Sequence, residues 1–120
     1  MAHLLIVEDE PTNAELTAFI CRRAGHSVRL APNGLRALEL LAAEKFDLAI
    51  VDVLMPVMDG LTLTHAVRMN ARTADLPIVG LTALAGRDDL AALKQAGMTA
   101  VVAKPCRPEV ILEAIAAALV

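Results

Sequence analysis

The chain contains neither tryptophan nor tyrosine, and Phe19 and Phe46 are its only phenyl rings. Functions that stack flat rings on a ligand, from base recognition on single strands to aromatic cages for cations, have almost nothing to build on. Cysteine is nearly as scarce. Cys21 and Cys106 are far apart and lack metal-ligand spacing, which points to two reduced thiols rather than a zinc motif or a disulfide framework. Basic residues form no stripe: 11 Lys and Arg face 14 Asp and Glu, for a formal net charge of -3, which argues against direct nucleic-acid binding. No apolar run approaches the roughly 18 residues of a membrane span, and the amino terminus lacks the basic-then-apolar pattern of a secretion signal. A cytoplasmic protein without membrane contact is expected.

What is present is apolar. Hydrophobic residues make up 57% of the 120 residues, which suits one domain over residues 1–120 whose sheet is buried on both faces. Short apolar runs cover residues 3–7, 48–51, 77–81 and 100–103, with a shorter strand at 27–30. Between them lie stretches of helical period. Leu16, Phe19, Ile20 and Ala24 share one face, closed by Gly25. Leu35, Leu38 and Leu41 follow Asn33 as an N-cap, and Leu63, Ala66 and Val67 follow Asp59 in the same role. A helix around 88–96 opens on Asp88 and Asp89 and stops at Gly97, and the last buries Val110, Ile111, Ala114, Ile115 and Leu119. This alternation predicts an α/β fold: a doubly wound, flavodoxin-like parallel sheet of five strands, order 2-1-3-4-5, with five helices.

In that order the carboxyl ends of the first and third strands flank the crevice where ligands bind. The apolar runs end there on Glu8-Asp9, Asp52, Thr82 and Lys104. Grouped carboxylates repel one another and need a cation, and hard oxygen ligands with room for a phosphate oxygen suit Mg2+, with Mn2+ as the alternative. Asp52, ending a central strand before an irregular loop, is the candidate nucleophile. Attack by its carboxylate on an in-line phosphoryl group gives an acyl phosphate, with Lys104 and Thr82 neutralising and hydrogen-bonding the equatorial oxygens. Ala83 is small enough to leave a path to the site. Lys104-Pro105 is a candidate cis bond that turns the lysine inward, and Gly60 is read as permitting an unusual backbone angle.

Each residue also has a plain use: Glu8 and Asp9 as acids at a helix start, Asp52 and Thr82 as caps, Lys104 as a solvated surface charge. Their coincidence at four strand ends favours the site. His3, His26 and His65 are scattered and read as surface or packing residues, and Met55 and Met58 as packing for the loop after Asp52.

These blocks, residues 4–10, 48–56 with Asp59-Gly60, 81–83 and 103–105, resemble in order the receiver domain of two-component response regulators, chemotaxis regulators among them. The resemblance implies a signalling protein that catalyses only its own phosphorylation and dephosphorylation. Asp52 would be the phosphoacceptor, supplied by a histidine kinase or a histidine phosphotransfer protein. Asp9 and Asp52 would ligate Mg2+ directly, Glu8 through a bound water, and the backbone carbonyl of Leu54 would add a ligand. Thr82, Ala83, Lys104 and Pro105 would surround the phosphoryl group. In the family, a residue on the fifth strand, often aromatic, reorients with the threonine; here it is Val101, so an output of small amplitude through residues 82–86 and the fourth helix is expected. Leu54 and Ala85 are expected to influence the phosphoryl lifetime. With no segment after the last helix, a stand-alone regulator that signals to a downstream protein by contact is expected, as a monomer or weak dimer.

Three other readings compete. An aspartyl phosphatase or phosphotransferase of the haloacid-dehalogenase kind needs an acid two residues past the nucleophile, where this chain has Leu54. A scaffold that works without phosphorylation would not need the acid, threonine and lysine set. A flavodoxin-like cofactor binder lacks a stacking Tyr or Trp and a Gly-rich fingerprint.

Overall fold

The computed structural model describes residues 1–55, 58–83 and 86–120; Pro56 and Ala85, named above, lie outside them. Strands β1 (His3–Val7), β2 (Ser27–Ala31), β3 (Leu48–Asp52), β4 (Ile78–Thr82) and β5 (Ala100–Ala103) alternate with helices α1 (Pro11–Arg23), α2 (Gly34–Ala43), α3 (Gly60–Met69), α4 (Arg87–Gln95) and α5 (Pro108–Ala118). The five strands form one parallel sheet in the order β2-β1-β3-β4-β5, as the sequence predicts.

β3 and β4 are buried at every residue, which is why they read as continuous apolar runs rather than alternating ones. Residues on one face of the sheet join Leu40, Leu63, Val67 and Leu93 in one core. Those on the other join Ala18, Cys21, Ile111 and Ile115 in a second. α1 and α5 thus share one face, and α2, α3 and α4 cover the other. None of the helices among the described residues is long and apolar enough to cross a membrane.

Local signals behave as expected at most element ends. The Asn33 and Asp59 side chains accept from the N–H groups of Arg36 and Thr62, and Asp88 and Asp89 occupy the first turn of α4. Gly25 and Gly97 follow their helices at φ of 98° and 118°, the left-handed region that favours glycine. The histidines pack locally: His3 stacks on Phe46 and contacts Ser27 and Glu44, and His26 accepts from the N–H of Ala2.

The buried faces differ from the expected ones in two helices. On α1 the buried residues are Ala14, Thr17, Ala18 and Cys21, while Leu16 and Phe19 remain more than half exposed and Ile20 is half-buried. The small residues bring α1 close to the sheet, and the larger ones turn outwards. On α2, Leu35 is exposed and Ala37, Leu40 and Leu41 are buried. Smaller shifts follow on the other helices: Ala66 and Ala114 are half-buried, and Ala24, Val110 and Leu119 are exposed.

Cys21 is fully buried, and burial pushes its thiol up to about 11, with Arg22 opposing weakly. The unfolded chain therefore releases this proton before the folded one does. The Cys21 contribution to stability is present below the ordinary thiol range and lost as pH rises through about 11. Thermal melting of the wild type between pH 8 and 11, compared with Cys21→Ala, should show a steeper alkaline fall in the wild type; parallel curves would contradict this.

Candidate functional site

Glu8 follows β1 directly, and its backbone N–H donates to the Ala31 carbonyl at 3.0 Å, so the ladder with β2 continues into the loop. The next turn separates the acids by task. Glu10 caps α1, its carboxylate accepting from the Thr12 N–H at 2.7 Å, with Pro11 opening the helix. Glu8 and Asp9 are thereby spared the helix-start role that was their plain alternative. Glu8 turns inward and is buried, whereas Asp9 stays exposed.

Asp52, the last residue of β3, is also buried. Glu8, Asp9 and Asp52 each bring one carboxylate oxygen into a group whose members lie within 4.8 Å of one another. Lys104 comes from the end of β5, through the cis Lys104-Pro105 bond, and sets its Nζ 3.2 Å from Asp52 Oδ1 and 4.0 Å from Glu8 Oε1. Thr82, fully buried, ends β4 between them, and its carbonyl accepts from the Lys104 N–H at 2.7 Å. Ala83 and Pro105 lie exposed beside it, as does Leu54 beyond Asp52. The strand ends thus bring together the carboxylates, the hydroxyl-bearing residue and the ammonium that the sequence put there.

The balance of charge is uneven. Of the three grouped acids, Asp52 and Glu8 share the ammonium of Lys104. Glu8 is pushed up to about 7, chiefly by burial; the Glu10 N–H donating to it at 3.2 Å opposes this, the adjoining Asp52 adds to it, and Lys104 relieves it. A carboxyl so placed takes up either a proton or a cation. Hard oxygens, two of them on buried residues and one exposed to solvent, suit a small divalent cation that keeps some of its water.

One expectation is corrected here, and one plain alternative falls away. Gly60 does not adopt a positive φ; its role is space. A Cβ at Gly60 would stand 2.8 Å from Val53 Cα and 2.9 Å from the Asp52 carbonyl oxygen, and its N–H donates to the Val53 carbonyl at 2.8 Å. The start of α3 is therefore pressed against the backbone that carries Asp52. Thr82 does not cap α4 either, since the N-cap residue is Gly86. Met58 packs against the start of α2, its Sδ 2.7 Å from where a Gly34 Cβ would be, and Met55 is buried, so both brace the loop as expected. Cys106 is half-buried beyond Pro105, and burial raises its thiol despite Lys104, which leaves it a neutral thiol at the rim. A cavity of about 600 Å3 at the opposite edge of the sheet, lined by Phe46, Arg72 and Pro77 among others, shares no residue with the acid group.

With this geometry in view, comparison with known proteins is decisive. The family described as the response regulator receiver domain matches residues 4–116. The chain belongs to that family. It is 37% identical to an uncharacterised 14.6 kDa protein of Leptolyngbya boryana, over 88% of this chain and 80% of that protein. Among solved structures, the chemotaxis response regulator CheY4 of Vibrio cholerae superposes with a TM-score of 0.94 at 33% identity, covering 99% of both chains. The receiver domain of the sensor histidine kinase PA1611 from Pseudomonas aeruginosa PAO1, described with a magnesium ion coordinated in its active site cleft, gives a TM-score of 0.90 at 29% identity over 98% of this chain and 97% of that one. Other curated relatives, transcriptional regulators and sensor histidine kinases among them, are much longer, and this receiver spans less than half of each.

The close approach at Gly60 has a measurable consequence. Gly60→Ala should destabilise the receiver by about 1–3 kcal/mol, the usual range for overpacking. It should also shift the backbone amide resonances of Asp52 and Val53. A stability within error of wild type, with those resonances unmoved, would show that α3 is not held as tightly as the distances indicate.

Proposed function

We propose that this receiver accepts a phosphoryl group on Asp52 from a histidine kinase or a histidine phosphotransfer protein, and passes its state to a downstream protein by contact. The observation that carries the reading is the Lys104 ammonium 3.2 Å from a buried Asp52 carboxylate, inside a group of acids whose oxygens lie within 4.8 Å. A structural ion pair would not need two further acids beside it.

Asp9 and Asp52 would hold Mg2+ directly, Glu8 through water, and the Leu54 carbonyl would add a ligand. Bound there, the ion supplies positive charge to the phosphoryl oxygens and relieves the repulsion among the acids. The remaining steps belong to the chain. A carboxylate oxygen of Asp52 attacks the phosphorus of a phosphohistidine in line with the leaving nitrogen; the P–O bond forms, the P–N bond breaks, and the imidazole leaves with its electron pair. Lys104, released from its ion pair with Asp52, follows the charge onto a phosphoryl oxygen, and Thr82 donates its hydroxyl to another. Ala83 and Pro105 border the path of entry.

The receiver turns over no external substrate in this reading, because position 54 is a leucine and offers no acid to protonate a leaving group. Output would pass through the segment after Thr82 and through α4 with small amplitude, since Val101 has no ring to swing. The setting is cytoplasmic, as for a phosphorelay component.

Incubation with acetyl phosphate and Mg2+, followed by intact mass, should add one phosphoryl group to the wild type and none to Asp52→Asn. No gain with any small donor, or a gain retained in the mutant, would sink the assignment. Lys104→Ala should retain Mn2+-dependent line broadening of the amide resonances at the site yet lose most of the phosphoryl uptake. In a separate measurement, beryllofluoride with Mg2+ should move the amide resonances of α4 and β5; identical spectra there with and without it would rule out output by this route.

A further inference from the structure

The cavity at the edge of the sheet opposite the acid group holds about 600 Å3, a volume within the range of small-molecule sites. It lies between the turn that follows α2 and the turn that follows α3, and Leu41, Phe46, Leu76 and Pro77 supply its apolar walls. Those walls are held from behind. The Phe46 ring stacks on His3 with centroids 4.6 Å apart, His3 is fixed in turn by Ser27 and Glu44, and the Thr73 hydroxyl donates to the Val67 carbonyl at 2.7 Å.

The charges of the lining are unevenly matched. Glu44 sets one carboxylate oxygen 2.6 Å from His3 Nε2 and the other 3.1 Å from Arg29 Nη1. Asp47 accepts from the His3 N–H at 2.7 Å, and Asp75 favours the charge of the half-buried Arg68. His3, Arg29 and Arg68 all stand outside the lining, so each acid of the cavity is answered from behind. Lys45 and Arg72 are not. Among the described residues neither forms an ion pair, and the one side-chain hydrogen bond between them is a long contact of 3.4 Å from Arg72 Nη1 to the Ala42 carbonyl.

We propose that this cavity binds a small organic anion, a carboxylate carried on an apolar or aromatic body. Arg72 and Lys45 take the carboxylate, the guanidinium through its planar fork and the ammonium as a point charge. The body lies against Leu41, Phe46, Leu76 and Pro77, a gain that a bare inorganic anion does not collect. Such a ligand leaves the chemistry at Asp52 unobstructed, because the cavity lies where the chain enters β3 and β4, whereas Asp52 and Thr82 stand where it leaves them. Asp47 and Pro77 each directly precede one of these strands, and the Ala49 N–H donates to the Pro77 carbonyl at 2.9 Å. A bound anion therefore braces the two strand entries together.

Titration of the isotope-labelled chain with phenylpropionate, in the absence of any phosphoryl donor, tests this directly. The amide resonances of Lys45, Phe46, Arg72 and Thr73 should move and saturate. The neutral amide of the same acid lacks the charge and acetate lacks the body, so each should bind at least about tenfold more weakly. Arg72→Gln should lower the affinity by about tenfold and Lys45→Gln by about threefold, both at exposed positions and with an unchanged melting transition. The inference is overturned by a neutral amide that binds as well as the acid, or by an affinity unchanged in the double variant. Resonances that do not saturate at these residues, or that move only around Lys104, overturn it too.

Discussion

Two buried carboxylates, Glu8 and Asp52, share one ammonium, and much of the molecule can be understood as holding that imbalance in place. Left to themselves the acids would separate into water, since burying unpaired charge is costly. They do not separate because each is attached to a strand whose neighbours on both faces are closely packed. The deficit is met in part by protonation of Glu8, which burial favours, and in part by Lys104. A divalent ion would meet it more completely, and a phosphoryl group would bring further negative charge to the same place. The site is best viewed as an incomplete charge balance made rigid by the fold.

The rigidity comes from backbone pairing that extends to the site itself. The N–H groups of Glu8, Val53 and Lys104 donate to the carbonyls of Ala31, Leu81 and Thr82, so each strand is tied to its neighbour at the point where its functional residue stands. Gly60 adds a fourth constraint from the helix side. By contrast, α4 is lightly held: Leu93 is its one buried residue, and its N-cap, Gly86, makes no side-chain hydrogen bond. Below it, Met98 fills the space over Gly80 where a Cβ would stand, and Val101 lies beside Gly80 in the sheet register. A methionine and a valine therefore pack this region. An element attached by few buried contacts can shift at low cost even when nothing large swings beneath it.

Most of the strand ends were legible because burial on both faces turns a strand into a short apolar run, and the first polar residue after it marks the edge. Strand order followed from the strict alternation of strand and helix, for which 2-1-3-4-5 is the commoner doubly wound order at this size. The face of α1 was not legible. Leu16, Phe19 and Ile20 make the strongest apolar row in that segment, whereas the packed row is Ala14, Thr17, Ala18 and Cys21, chosen by how near the helix must come to the sheet. Distance between layers is a property of the assembled fold, and hydrophobic period carries no information about it. Gly60 failed for a similar reason: a glycine needed for φ and a glycine needed for space look identical in sequence. The division of labour between Glu10 and its two predecessors could have been anticipated from Pro11, since a proline at the first helical position makes the residue before it the cap.

The misplaced face of α1 bears on the site as well as on the fold. Because small residues face inward, α1 sits close to β1 and β2; because large residues face outward, an apolar groove opens beside Glu8 and Lys104. The two consequences cannot be separated by substitution at one position. Lys104 lines this groove while it pairs with Asp52, so the groove and the acid group share a charged residue.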